Sequence, residues 1–379
     1  MEEDSYYDQG GYFIEDKRPA AIVPRDQSEK ACLEAIEQDA YSFIFVENQT
    51  RCICMFAVRK CGLVLVHVKD QTEEICLVAV RQNPKAIHFV KEQTEGICLE
   101  AARRDGCYLQ YIHEQTEEIC LEAVKHNGLA LTFVREQTHQ ICSAAVRQNG
   151  LALAHIIEKT EELCLTAVKQ NGMALLHVPD KTEEICLAAV NQNGTSISYV
   201  AHQTDELCLL AVKRNAMALQ YVKNRTPKIC LAAVKQNGEA LGYVKDPTEE
   251  MCMIAVRKDG QALRYVKNQT EELCLEAVRQ NGYAFEFVRN QTEEICLICV
   301  RYSGYCLKYI KHQTEKICLE SVICDAHSLQ HVREQTLELC LMASDHPRFN
   351  LSYIRDLEMR EICEKYQKGK RFLRTKAAK

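Results

Sequence analysis

The chain has 379 residues, a net charge of −6 and 22 cysteines. That balance gives no sign of a polyanion-binding surface, and no apolar run reaches the ~20 residues of a membrane helix. With no charged-then-apolar leader after Met1, the expected setting is the cytoplasm, away from membranes and from the secretory route.

Residues 1–27 carry seven acids and three bases, several tyrosines and Gly10–Gly11, and are expected to be an irregular acidic lead-in. From Ser28 onward the sequence repeats every 22 residues without a slip. Thr50, Thr72, Thr94 and their successors to Thr336 hold the same place, so fifteen units run from Ser28 to Leu357. A period of this size marks a stacked array and displaces the two or three globular domains that length alone suggests. The expected domains are the lead-in at 1–27, a repeat domain at 28–357, and a cap helix with a basic tail at 358–379.

The Thr270 unit represents the rest. Leu273, Cys274, Ala277 and Val278 form one helical stripe, and Ala284, Phe285 and Val288 form a second. Two helices of about ten and about eight residues are predicted. The threonine should accept a hydrogen bond from the first helix's free N–H groups. Acids such as Glu73 and Glu117 follow, where the helix dipole favours them. Asn-Gly then closes the helix, with the glycine expected in the left-handed conformation of a C-terminal cap. A leucine-rich repeat, the rival at this length, needs an apolar residue where Arg279 stands. One hairpin buries too little apolar surface to offset its ordering. The expected fold is therefore all-α, an α-solenoid of about fifteen 22-residue helix-turn-helix repeats.

Several rows of residues invite chemistry. Cys32, Cys54 and their successors to Cys340 form a ladder through all fifteen units. Stacked helices lie ~9–10 Å apart, whereas a disulfide needs Cα atoms within roughly 4.4–6.8 Å. The ladder therefore reads as core packing in a reducing compartment, with no disulfide-linked partner and no shared metal. The aromatic row (Phe45, His67, Tyr111, Tyr265, Tyr353) reads as a half-buried edge contact, and the alternative is a stacking ladder for single-stranded nucleic acid. Two basic rows, Arg59, Arg81, Lys125, Arg279 and Lys69, Lys91, Lys245, Lys267, read as solvated faces near helix C-termini. Cys324, His327 and His331 resemble a metal cluster in spacing, but no fourth ligand is visible.

No phosphate loop, nucleophile elbow or paired-acid motif occurs, so no catalytic, cofactor-binding or metal residue is assigned and no enzyme is expected. The rows that vary between units lie opposite the apolar stripes and carry large apolar residues. These are Phe56, Leu63, Leu151, Met173, Leu176, Leu210, Ile254, Tyr283, Ile298 and Tyr305, a candidate surface for a protein partner. The favoured role is a non-enzymatic interaction module or scaffold. Repeat-based binding of single-stranded nucleic acid is the second choice.

The recurring string Gln-Thr-Glu-Glu-Ile-Cys-Leu-x-Ala-Val-Lys/Arg-Gln-Asn-Gly-x-Ala-Leu-x-Tyr-Val-Lys closely resembles the domain-of-unknown-function 4116 repeats, from Ser28 to Leu357. The resemblance implies an origin in a mimivirus-like giant DNA virus, and hence a host-cell cytoplasm. It implies no activity, cofactor or catalytic residue.

Overall fold

A computed structural model describes residues 22–346 and 349–377. Most of the lead-in, residues 1–21, lies outside the described residues, as do 378–379. So do Pro347 and Arg348, within the string that breaks the last repeat. The chain divides into two compact units, Met1–Ala188 and Ala189–Lys379. Within each, every repeat packs its first helix against the next first helix and its second against the next second. Among the described residues there is no strand, and the fold is an all-α repeat array of the solenoid kind.

The first helix forms as its sequence predicts. It spans ten residues in fourteen repeats and eight in the last, as in Glu73–Gln82 and Leu337–Ser344. Thr72 Oγ1 accepts the Ile75 N–H at 3.4 Å, and Thr138, Thr270 and Thr314 make the same bond. The stripe buries Ile, Cys, Ala and Val together, as at Ile75, Cys76, Ala79 and Val80.

The second helix departs from expectation. It is a 3-10 helix of six residues in fourteen repeats, such as Gly128–Phe133, and of three in the last, Leu351–Tyr353, rather than an α-helix of about eight residues. Its start explains why. Asn127 accepts the Leu129 N–H on its side chain while its own backbone is extended, at φ −142° and ψ 102°. The asparagine thus caps the second helix as well as ending the first. At the other end the Val134 N–H returns to Leu131 O, which leaves no room for a further turn.

The glycine also differs from expectation. Gly62, Gly128 and Gly150 do not use the left-handed region. They are glycines because the next repeat presses on them: a Cβ on Gly150 would lie 2.3 Å from the Ala167 carbonyl oxygen. That closeness also requires the small residue of the next helix. Where it is not alanine, it bonds back to the glycine, as Ser321 Oγ does to Gly304 O at 3.1 Å.

At the C-terminus the helix Leu357–Ala377 packs on the last repeat. Cys363 is buried there, and Gln367 Nε2 donates to Ser344 O at 3.0 Å. No helix among the described residues is long and apolar enough to cross a membrane.

Candidate interaction surface

Most polar rows are engaged inside the array. The glutamine that precedes the threonine in most repeats joins two successive repeats: Gln71 Nε2 donates to Leu65 O and Phe89 O, while Gln71 Oε1 accepts the Lys91 N–H at 3.0 Å. A second glutamine ends the first helix. Gln148 Oε1 accepts the Gly128 N–H at 2.7 Å and Gln148 Nε2 donates to His126 O. Neither role is visible in one unit, because the Phe89, Lys91, Gly128 and His126 partners lie 18–22 residues away in the chain. The signal was nonetheless present, since a polar residue that recurs at a fixed place has a fixed bond to make.

The basic rows are tied down as well. Lys91 Nζ donates to Lys69 O at 2.8 Å, Arg135 to His113 O and Arg333 to Lys311 O, each reaching back one repeat. In the first helices, Arg103, Arg257 and Arg301 pair with Glu122, Glu276 and Glu320 of the following repeat. These cations offset carbonyls and carboxylates instead of forming a free stripe. The aromatic row is mostly half-buried, as expected, although Phe45, His155, Tyr221 and Tyr309 are exposed.

Every ladder cysteine is buried and carries a free thiol. Burial raises these thiols, with Cys76, Cys98 and Cys340 pushed up to about 11. Several donate weakly to the neighbouring glutamine, as Cys274 Sγ does to Gln269 Oε1. They behave as small core residues and not as nucleophiles. Cys324, His327 and His331 have separate partners: Cys324 faces Arg301 O, His327 faces Asp325, and the His331 ring stacks edge-on with Tyr305.

Of the ten variable-row residues, Leu176, Tyr283 and Tyr305 are exposed. Phe56, Leu63, Leu151, Met173, Leu210, Ile254 and Ile298 are half-buried. Those seven are less free than their place opposite the stripe suggests, because adjacent first helices, and adjacent second helices, pack side by side.

The tyrosines concentrate on two successive repeats. Tyr283 and Tyr302 meet edge-on with centroids 6.1 Å apart, and Tyr305 and Tyr309 do so at 6.4 Å. Lys308 lies over the Tyr305 and Tyr309 rings. Tyr302 escaped sequence reasoning, as did exposed Ile157 and Ile323, while Tyr309 belongs to the aromatic row that was expected to be half-buried. Tyr302, Ile157 and Ile323 stand where other repeats have glutamine or a base, so departure from the repeat was the available signal.

No curated protein and no solved structure matches the chain. The family model for a domain of unknown function (DUF4116) matches six times, at residues 94–138, 116–159, 160–203, 205–247, 248–292 and 270–313. Successive matches advance by one or two repeats and together span more than half of the sequence, so the chain belongs to the DUF4116 family.

Proposed function

We propose that this chain is a non-enzymatic interaction module whose tyrosine-bearing face docks another protein. Four side chains carry the proposal: Tyr283, Tyr302, Tyr305 and Tyr309 are 66%, 53%, 49% and 46% exposed on adjoining repeats. Tyrosine offers large contact area for little conformational entropy and is enriched in protein interfaces. The Gln, Asn and Thr rows are engaged within the array, which leaves the variable positions to distinguish one partner from another. The setting proposed with it is the cytoplasm of a cell infected by a giant virus, as the family resemblance implies.

The test is affinity capture with the wild-type chain, a Tyr283→Ser/Tyr305→Ser double variant, and a Leu176→Ser control. Proteins held by wild type and control should fall at least about tenfold with the double variant, as loss of interface hot spots does. If the double variant retains every captured protein, the tyrosine face is not the docking site. A saturable turnover abolished by one substitution would overturn the non-enzymatic part.

Single-stranded nucleic acid remains the second proposal, favoured by the aromatic row. It is weakened by the engagement of the basic row with backbone carbonyls. It requires filter retention that falls steeply with salt. No retention at low salt removes it.

A further inference from the structure

Tyr283 and Tyr305 begin a longer row of rings. Thirteen residues after the threonine, the last four repeats carry Tyr283, Tyr305, His327 and Phe349, whereas the ten repeats before them, from Leu63 to Gln261, carry no ring there. Each of the first three stands early in a second helix. These short helices pack side by side, Gly282–Phe287 on Gly304–Tyr309 and that in turn on Ala326–His331. Tyr283 and Tyr305 are exposed, and the His327 side chain is 40% exposed. Phe349 is buried against His327 and Tyr353 and closes the row. A charge accompanies each of the first two rings. Exposed Glu286 and half-buried Lys308 stand three residues further on, the spacing that puts two side chains on one face of a 3-10 helix. Lys308 Nζ lies 3.8 Å from the Tyr305 ring centroid and 4.4 Å from that of Tyr309.

We propose that the occupant of this row is a proline-rich protein segment in the polyproline II conformation, lying along the array with one turn over each ring. This rests on the tyrosine face being the docking surface proposed above, and names what docks there. Pitch selects the conformation. A polyproline II helix rises about 3.1 Å per residue and turns once in three residues, so one of its edges recurs every ~9.3 Å. Packed helices of the array lie ~9–10 Å apart, so every third residue meets the next ring without strain on either side. An extended strand repeats one face every ~6.6–6.8 Å and is out of register by the second ring. The exposed groups fit as well. Polyproline II has no internal hydrogen bonds, so its carbonyls accept from tyrosine hydroxyls while its pyrrolidine rings pack on the aromatic faces, as in other aromatic-lined grooves. Lys308 donates to the Tyr305 hydroxyl, which leaves that hydroxyl's own proton to point outward. Charge complementarity narrows the segment further: Glu286 beside the first ring matches a base, and Lys308 beside the second matches an acid three residues from it.

The test is fluorescence anisotropy of the full chain with two labelled peptides, Pro-Arg-Pro-Pro-Glu-Pro-Pro and its charge-exchanged form Pro-Glu-Pro-Pro-Arg-Pro-Pro. One of the two, set by the direction in which the segment runs, should bind about threefold or more tightly than the other. A Glu286→Lys/Lys308→Glu double variant should invert that preference. Tyr305→Ser should weaken the better peptide at least about tenfold, and so should glycine in place of every proline, which keeps the charges and removes the preformed helix. Circular dichroism of the variants establishes that they fold. The proposal is overturned if neither peptide binds, if binding survives Tyr305→Ser, or if the double variant leaves the preference as it was. Oligothymidine binding in place of the peptides, and lost in Tyr305→Ser, would assign the row to single-stranded nucleic acid and overturn it too. Affinity capture separates the two levels. Capture that depends on Tyr283 and Tyr305 while neither peptide binds removes this occupant and keeps the docking face, whereas capture indifferent to both tyrosines removes the face itself.

Discussion

The Thr138 and Thr292 repeats have the same helix and the same 3-10 turn but hold them differently. In the Thr138 repeat, Asn149 accepts the Leu151 N–H at 3.0 Å and Gln148 accepts the Gly128 N–H of the repeat before it. In the Thr292 repeat Ser303 caps nothing, tyrosine replaces the second glutamine, and two buried thiols, Cys299 and Cys306, underlie the turn. Gln291, however, keeps the inter-repeat bond of the first glutamine, accepting the Lys311 N–H at 2.8 Å. The contrast shows that stacking tolerates the loss of a turn cap and of one inter-repeat bond when the first glutamine's bond between repeats is kept. It also suggests that divergence collects where an exposed surface can use it.

The sharpest test is steric. A Cβ on Gly150 meets the Ala167 carbonyl oxygen at 2.3 Å, whereas one on Gly304 meets Ser321 O at 2.9 Å. Backbone cannot swing aside, so Gly150→Ala should lose about 2–3 kcal/mol and Gly304→Ala about 1 kcal/mol. Urea unfolding read by circular dichroism measures both. Equal losses would mean that the two turns are packed alike, which would break the comparison.

Capping comes next. Asn149→Ala should cost about 1–2 kcal/mol, and Ser303→Asn should gain about 1 kcal/mol by restoring the missing bond. Amide hydrogen exchange at Leu151 and Tyr305 reports each turn locally, which matters because array unfolding is a sum over repeats. A Ser303→Asn variant with unchanged protection at Tyr305 would show that the two buried thiols already hold that turn as firmly as a cap.

The glutamine bond is common to both repeats and should cost the same in each. Gln137 Nε2 donates to His155 O at 2.8 Å and Gln137 Oε1 accepts the Ile157 N–H at 3.1 Å. Gln137→Ala and Gln291→Ala should each lose about 1 kcal/mol, since water replaces part of what these half-buried groups give up. Unequal losses would show that the Thr292 repeat leans harder on its remaining support.

These bonds mark the boundary of what the sequence makes legible. Apolar periodicity, threonine caps and the cysteine ladder act within one unit, and each could be placed from Thr270 to Val288 alone. The glycine contact and both glutamine roles depend on a neighbouring repeat, and the 3-10 form of the second helix follows from the asparagine capping forward instead of only closing the first helix. Asn-Gly carries the same residues whether the glycine is left-handed or pressed against a carbonyl, so composition could not choose between them. The tyrosine face was half legible: Tyr283 and Tyr305 sit in variable rows, while Tyr302 hides in a row that is otherwise structural.

The smallest effect concerns pH and returns to the ladder shared by both regions. Burial raises Cys76 from an ordinary thiol value of 9.0 to about 11. The folded chain therefore holds its proton where the unfolded chain has begun to release it. The stability this contributes is fully present below pH 9 and is lost as pH rises from there through about 11. At pH 9 the loss should be about 0.4 kcal/mol for this thiol. Cys306 runs the other way, because its folded pKa is lowered. Urea midpoints at pH 7 and pH 9 for wild type, Cys76→Ala and Cys306→Ala separate the two. The alkaline fall should shrink in Cys76→Ala and not in Cys306→Ala. A fall that shrinks equally in both would place Cys306 in the same environment as the ladder.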